Sequence, residues 1–245
     1  MNPFHLLVSR FNWPHIAWKS RSRREYGVWI DTRLELLRKY AAPSVKNCWI
    51  KPNLWVLLVD RCEFEFLPRL EEIVHELPFK FVFFSGGDIQ ASLTQLVASF
   101  DFPMTLYTTR LDTDDLLASD YFARIGGVSI GLHEANERVV LSFPGGANYS
   151  VREDSFYYSS YPENPFLTMV ERLHSAKELR GVYWKMHTEL AVHVPHVRYL
   201  RSYHPMWASV IHDHNTSNES LTATNKVKLA DGDFLKKKFG MAQNL

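Results

Sequence analysis

Three short apolar runs along the chain are nearly continuous rather than alternating with polar residues: Phe4 to Val8, Leu54 to Val59 and Phe79 to Phe84. Runs of this kind are typical of strands that are covered on both faces, as in a parallel sheet. Between the first two runs, apolar residues recur at helical spacing, namely Ile30, Leu34, Leu37 and Ala41. The pattern predicts a β-α-β unit whose helix stops at Pro43, because proline interrupts helical hydrogen bonding.

The alternation of strands and helices continues through the first half of the chain. A second helix is predicted from Leu67, Leu70, Val74 and Leu77, and a third from Ile89, Leu93, Leu96, Val97 and Phe100, with Asp88 as its N-cap. A fourth strand, Met104 to Arg110, leads into Asp112-Thr113-Asp114-Asp115, and the next helix is expected to begin near Asp114 or Asp115. Ligands of open α/β sheets bind at the carboxyl ends of the strands, where this acidic segment is expected.

The pattern changes in the second half. Short β-like pieces between Ser129 and Tyr158 include Arg138 to Phe143 and Ser155 to Tyr158, and Pro144-Gly145-Gly146 joins two of them. Asn164-Pro165 is expected to open a helix that buries Phe166, Val170 and Leu173, and Met206 to Ile211 predicts one more buried strand. We therefore predict an α/β fold with a central, mostly parallel sheet flanked by helices, and a smaller mixed β region in the C-terminal half. Residues 1–218 are expected to form one domain, followed by a loosely docked tail over 219–245.

Composition narrows the class of protein. The chain has 245 residues, of which 46% are hydrophobic and 22% charged, which is typical of a globular protein. A net charge of +1 gives no global field that favours nucleic acid. The two cysteines, Cys48 and Cys62, are too few for a disulfide framework and favour reduced thiols in a cytoplasmic protein. A single disulfide between them is the alternative. No signal peptide and no membrane-spanning run is expected, so any membrane contact would be peripheral. Lys236-Lys237-Lys238 is the candidate segment for such a contact.

The acidic segment after the fourth strand is the first candidate for chemistry. Asp112 and Asp114 lie two residues apart, so that both carboxylates can face one side and offer hard oxygen ligands to Mg²⁺ or Mn²⁺. A divalent ion there would stabilise the charge that builds on a departing diphosphate during sugar transfer. The competing interpretation is that these aspartates cap the following helix.

Other polar residues stand at predicted strand ends. Asp60 and Arg61 close the second strand, Arg10 and Asn12 close the first, and Arg110 closes the fourth, where a nucleotide would be bound. His212-Asp213-His214 follows Met206 to Ile211, and in an extended segment the two imidazoles share a face that suits a metal or a phosphate. Ordinary surface side chains are the alternative in each case.

A base is needed if sugar transfer inverts configuration, because the acceptor hydroxyl must lose a proton. The candidates are Glu171, Glu163, Glu153 and Asp154, and the alternative is that all four are plain surface carboxylates. The aromatic residues Phe156, Tyr157, Tyr158, Tyr161, Tyr183 and Trp184 either stack on sugar rings or pack in the core.

Five segments together resemble the rhamnosyltransferase family of bacterial GT-A-like enzymes. They are Ser9-Arg10-Phe11-Asn12; Trp29 through Arg33 to Tyr40 with Pro43-Ser44-Val45; Thr109-Arg110-Leu111-Asp112-Thr113-Asp114-Asp115; Asn164-Pro165-Phe166 with Glu171; and Trp207 through His212 to Asn215 and Asn218. The resemblance spans nearly the whole chain to Asn218, and the third segment is its most specific part.

The resemblance implies a GT-A-like nucleotide-sugar-binding fold and a glycosyltransferase. It implies a divalent metal on Asp112 and Asp114 with His212 or His214 completing the site, a nucleoside-diphosphate sugar donor, with rhamnose as the candidate sugar, and a glycan or lipid-linked acceptor. Asn164 stands near the position where such enzymes place an acidic base, so Glu171 becomes the first choice for the base and Glu163 the second. Two rival functions stay open, a metal-dependent phosphoesterase or hydrolase and a non-catalytic nucleotide-sugar-binding domain.

Overall fold

Four parallel strands form one half of the main sheet, as the apolar runs predict. The computed structural model describes residues 4–12, 22–60, 65–84, 88–128, 137–213 and 227–241. The strands are β1 (Phe4–Arg10), β2 (Leu54–Asp60), β3 (Phe79–Phe84) and β4 (Met104–Arg110). β1 lies between β2 and β4, and β3 pairs with the outer side of β2. The carboxyl ends of β1, β2 and β4 therefore lie along one edge.

Both faces of these strands are buried, which explains their continuous apolar sequence. Successive side chains of a strand point to opposite faces. Leu7 packs in one cluster with residues of the helices before and after β2, whereas Leu6 and Val8 pack in another with Leu93 and Val97. Helices therefore cover both faces, and the predicted architecture is confirmed.

The helices of the first half carry the predicted apolar stripes. They are α1 (Arg23–Leu36), α2 (Ala42–Asn47), α3 (Leu67–Val74) and α4 (Ile89–Val97), and a π-helical segment, Leu37–Ala41, joins α1 to α2. The Asp88 carboxylate accepts a hydrogen bond from Ala91 N–H at 2.8 Å, so the predicted cap of α4 is confirmed. The predicted stop at Pro43 is wrong. Pro43 lies in the first turn of α2, where a missing N–H costs nothing, and the chain remains helical to Asn47.

The helix expected near Asp114 or Asp115 is also absent at that point. The chain instead forms the short strand β5 (Leu116–Leu117), and α5 (Tyr121–Gly126) begins only later. The aspartates consequently cap no helix, so the competing interpretation as a helix cap is wrong.

The prediction of a helix after Asn164-Pro165 is wrong, because this segment forms a strand. The main sheet is completed by β6 (Arg138–Ser142), β9 (Thr168–Leu173) and β10 (His196–Tyr199). Its order is β10-β6-β9-β4-β1-β2-β3, and only β9 runs against the others. In this central position Thr168, Met169 and Val170 are all buried, so both faces of the segment need covering and a strand is favoured over an amphipathic helix.

A smaller mixed sheet fulfils the prediction for the C-terminal half. Its order is β5-β11-β7-β8, with β7 (Gly145–Ser150), β8 (Ser155–Ser160) and β11 (Trp207–Ile211). Gly145 and Gly146, which are predicted to lie in a connection with Pro144, are therefore strand residues, and Pro144 alone lies outside the strand. β11 runs parallel to β7 and antiparallel to β5, so it connects the segment after Asp115 with the second sheet.

The described part of the tail is docked firmly, contrary to expectation. Helix α7 (Gly232–Lys238) buries Leu235, and Phe239 is fully buried against Phe156. Lys236 pairs with Asp154, and Lys238 pairs with Asp120 at 2.6 Å. Leu235 and Phe239 are thus unavailable to a bilayer. In the described ranges no helix is long and apolar enough to cross a membrane.

The remaining elements follow β9. A single 3₁₀ turn, Ala176–Glu178, packs beside α4, and α6 (His187–His193) lies between β9 and β10 in the sequence. Leu190 of α6 is buried against Val140 of β6 and Met169 of β9, so α6 packs on this part of the main sheet.

Candidate active site

An aspartate held between two arginines marks the carboxyl edge of the main sheet. β1 ends at Arg10 and β4 ends at Arg110, and Leu111 N–H donates to the carbonyl of Val8, which fixes the exit of β4 against β1. Arg110 Nη2 lies 2.7 Å from Asp112 Oδ2, and Arg10 Nη2 lies 3.6 Å from Asp112 Oδ1. The three predicted binding residues are therefore brought together.

Tyr183 completes this group from a distant part of the sequence. The guanidinium carbons of Arg10 and Arg110 each lie 5.5 Å from the centre of its ring. Such contacts are attractive because the cation meets the negative face of the ring. The Tyr183 hydroxyl donates to the carbonyl of Val8 at 3.5 Å, and Gly181, with φ of 67°, turns the chain just before it. Tyr183 thereby holds both guanidinium groups in place.

The charges of this edge perturb its carboxyl groups in opposite directions. Burial alone raises the pKa of Asp112, but Arg110 and then Arg10 outweigh burial and hold this pKa below its usual range. The pKa of Asp115 is raised, first by burial and then by the negative charges of Asp114 and Asp112. The carboxyl groups of Asp112, Asp114 and Asp115 therefore lie close together, and the two arginines mainly offset the negative charge of Asp112.

The end of β11 meets this acidic segment, as the buried run before His212 predicts. Val210 N–H donates to Asp115 Oδ1 at 2.9 Å, and His212 Nε2 lies 3.3 Å from Asp114 Oδ2. The expectation that His212 lies beside the aspartates is confirmed. His214 lies outside the described residues.

Arg33 approaches the same segment from α1. Its Nη2 donates to Thr113 Oγ1 and to the carbonyl of Arg10. Its Nε is buried and has no hydrogen-bond partner within the described ranges. A buried donor without an acceptor is costly, and a bound anion would satisfy it.

Of the remaining predicted binding residues, Asn12 and the backbone of Asp60 connect two strands, and Arg61 lies outside the described ranges. The Asn12 amide is buried and uses both of its ends: Nδ2 donates to the hydroxyl of Tyr26 at 3.1 Å, and Oδ1 accepts from Asp60 N–H at 2.8 Å. This arrangement ties the end of β1 to the end of β2.

The structure does not bring Glu171 to the aspartates. Glu171 on β9 pairs with Leu106 on β4, whereas Thr168 pairs with Thr109 near the edge. Glu171 therefore lies about 10 Å from that edge along the strand, at roughly 3.3 Å per residue. Its side chain is 1% exposed and forms a salt bridge with Arg138 at 2.9 Å. Burial raises its pKa, while the N–H groups of residues 180 and 181 and Arg138 oppose this rise. Glu171 is therefore a buried, paired carboxylate that lies away from the acidic segment.

Glu163 lies nearer to the edge, in the segment that precedes β9. Arg110 N–H donates to the carbonyl of Leu167 at 3.2 Å, which brings this segment alongside the end of β4. The Glu163 carboxylate accepts from the Tyr199 hydroxyl at 3.5 Å, and its backbone carbonyl contacts Nδ1 of His187. His187 had no distinguishing signal in the sequence.

The two other candidate bases belong to the turn between β7 and β8. Glu153 accepts from the Tyr157 hydroxyl, and Asp154 accepts from Tyr149 and Lys236. The contact between Asp154 and Lys236 joins the second sheet to α7, and the contact between Glu153 and Tyr157 lies within the β7–β8 hairpin, so both carboxylates have a structural role.

The residues at the edge can hold a divalent cation only in part. No group of three or more His, Cys, Asp or Glu side chains in the described ranges is arranged to hold a metal ion. Asp114 and His212 offer one oxygen and one nitrogen. Mg²⁺ commonly binds through one or two protein carboxylates and completes its shell with substrate phosphates and water, so this pair fits an ion that arrives with a diphosphate.

Comparisons with known proteins identify a matching family. Residues 5–224 match the family described as "Putative rhamnosyl transferase". No curated protein matches the sequence.

Three solved structures that match the chain share little sequence with it. The inositol-1-phosphate CTP transferase from T. maritima has a TM-score of 0.38 and 12% identity, with 85% of each chain covered. The 4-diphosphocytidyl-2C-methyl-D-erythritolsynthase from Anaerococcus prevotii DSM 20548 has a TM-score of 0.33 and 10% identity, with 97% of this chain and 95% of that chain covered. A structure described as "Putative Glucose-1-Phosphate Thymidylyltransferase from Bacillus anthracis in Complex with a Sucrose" has a TM-score of 0.35 and 14% identity, with 71% and 72% covered.

Proposed function

Since the chain belongs to the family described as "Putative rhamnosyl transferase", we propose that it is a glycosyltransferase that moves a sugar from a nucleoside diphosphate to a glycan or lipid-linked acceptor. Rhamnose is the candidate sugar. The observation that carries the proposal is the group of Arg10, Arg110 and Tyr183 around Asp112 at the carboxyl edge of the sheet.

The arginines supply what a diphosphate leaving group needs. Guanidinium groups form paired hydrogen bonds with phosphate oxygens, and Arg10, Arg33 and Arg110 all reach this edge. The unpartnered Nε of Arg33 offers one such bond directly. When the bond between the sugar and the diphosphate breaks, negative charge grows on the diphosphate, and donors that are already in position stabilise it without reorganising.

A divalent cation, Mn²⁺ or Mg²⁺, fits beside the arginines. Asp114 and His212 would hold it, and Asp112 can contribute a lone pair because a carboxylate accepts about four hydrogen bonds or ligands and its arginines use only some. When bound, the ion would neutralise diphosphate charge as a Lewis acid. A two-metal phosphoesterase centre requires more ligands than this pair supplies in the described part of the chain.

Calorimetry with UDP, GDP, CDP, ADP and dTDP, in Mn²⁺ and in EDTA, tests the donor site. We expect one of these nucleotides to bind in Mn²⁺ and to lose about tenfold or more of its affinity in EDTA or in Asp114→Asn, which removes an anionic ligand. Asp101→Asn is the matched control, since it makes the same change at an exposed residue before the amino end of β4, away from the acidic segment. Equal affinity in EDTA would refute the metal role, and no binding of any nucleotide would refute the proposed function.

A further inference from the structure

His187 is the first residue of α6 and has one ring nitrogen fixed. Its Nδ1 is in hydrogen-bond contact with the backbone carbonyl of Glu163, and its ring meets Tyr161 edge-on, with the ring centres 5.8 Å apart. A carbonyl oxygen only accepts, so Nδ1 carries the hydrogen. The second nitrogen, Nε2, then presents a lone pair.

Two chain segments place this imidazole beside the proposed donor site. Tyr183, four residues earlier, lies against Arg10 and Arg110, and the segment that contains Glu163 runs back to the end of β4. The charges of Arg110, Asp112 and Arg10 all act on His187. His187 therefore shares the environment of the diphosphate-binding group.

This environment favours the neutral form of the His187 imidazole. Burial lowers the pKa of His187 most, and Arg110 and Arg10 lower it further, whereas the carbonyl of Glu163 and the charge of Asp112 raise it; the net direction is downward. The charged groups that act on the ring thus belong to β1, β4 and the segment after β4, and the titratable ring of Tyr161 lies against it from the segment before β9. A neutral imidazole with a free lone pair is a proton acceptor.

We propose that His187 is the general base of sugar transfer, an inference that rests on the proposed function. In a direct displacement, the acceptor oxygen forms a bond to the anomeric carbon as its proton passes to Nε2. The bond from that carbon to the diphosphate oxygen breaks, and its electron pair stays with the diphosphate. His187 becomes an imidazolium whose Nδ1 hydrogen remains bonded to the Glu163 carbonyl, and it returns its new proton to solvent.

The carboxylates fit this role less well than His187 does. Glu171 is 1% exposed, and its oxygens accept from Arg138 and from the N–H groups of Arg180 and Gly181. Glu163 directs its backbone to His187 and its carboxylate to Tyr199. The imidazole of His187 lies beside the segment that reaches the end of β4, and its Nε2 has no hydrogen-bond partner among the described residues.

The test compares His187→Asn with His193→Asn, in the full chain, with rhamnose linked to UDP, GDP or dTDP. Asparagine can still donate to the Glu163 carbonyl but cannot take up a proton, and His193 lies at the other end of the same helix against Trp184. We expect His187→Asn to lower kcat for release of the nucleoside diphosphate by about 100-fold or more, as loss of a general base does. Nucleoside diphosphate affinity in calorimetry should stay within about threefold, and His193→Asn should match wild type.

Two further readouts separate a base from a structural residue. Wild-type kcat should fall on acidification as Nε2 is protonated, and this acid limb should vanish in His187→Asn. Added imidazole should restore turnover to His187→Ala. A His187→Asn enzyme with wild-type kcat and an unchanged acid limb would overturn the inference while leaving the proposed function intact, whereas a wild-type chain that binds none of the nucleotides overturns both.

Discussion

The contact between Gly146 and Trp207 predicts a sharp difference between two neighbouring glycines. A methyl group at Gly146 would lie 2.1, 2.2 and 2.4 Å from three atoms of the Trp207 indole, whereas one at Gly145 would meet nothing within 4 Å. Trp207 has little room to move, because it is 2% exposed, stacks on Phe166 and donates from Nε1 to the carbonyl of Phe143. Trp207 also begins β11, the strand that carries His212 to the site.

The expected cost of Gly146→Ala follows from that geometry. Overpacking a well-filled core costs about 1–3 kcal/mol, and disturbing the indole hydrogen bond adds about 1 kcal/mol. For a chain of this size this corresponds to a fall in Tm of about 10 °C. Equilibrium urea unfolding and thermal melting of Gly146→Ala, with Gly145→Ala as the control, measure the difference. A Gly146→Ala variant as stable as Gly145→Ala would refute the packing of the second sheet.

Two predictions concern buried ionisable groups. Burial lowers the pKa of His5 from 6.5 to about 4. Between these two pH values the unfolded chain takes up a proton at His5 and the folded chain does not. The free energy of unfolding should therefore fall by about 3 kcal/mol from pH 6.5 to pH 4. His5→Phe, which keeps a ring against Tyr107, should flatten this dependence in urea unfolding, and an unchanged slope would contradict the assignment. Arg138→Met should cost about 3–5 kcal/mol by leaving the buried Glu171 carboxylate unpaired. Adding Glu171→Gln should recover stability, and a double variant less stable than Arg138→Met would count against a buried charge there.

The parallel half of the sheet could be predicted from sequence because its strands are buried on both faces. β3 and β4 have the predicted bounds, and β1 and β2 extend the predicted runs only by the polar residues at their carboxyl ends. β9 could not be predicted in this way. Phe166, Val170 and Leu173 follow helical spacing, and nothing in the local sequence shows that Arg138 on a neighbouring strand neutralises Glu171.

The site shows the same division between local and long-range information. His212 could be predicted because it directly follows a buried strand, and such a strand ends at an edge of its sheet. Arg10, Arg110 and Asp112 could each be assigned to the binding edge from the sequence, but the ion pairs between them could not, since Arg10 and Tyr183 approach this group only in the folded chain. His187 was missed because its carbonyl partner before β9 is set by tertiary structure.

The measurement that tests sugar transfer most directly identifies which bond of the donor breaks. The full chain is incubated with Mn²⁺ and with rhamnose linked to UDP, GDP or dTDP, in water labelled with a heavy oxygen isotope, and the products are analysed by phosphorus NMR and mass spectrometry. The account predicts a nucleoside diphosphate without label and free sugar that carries the label, because the anomeric carbon is attacked. A nucleoside monophosphate and a sugar phosphate, with label in a phosphate group, would show attack at phosphorus and contradict the account.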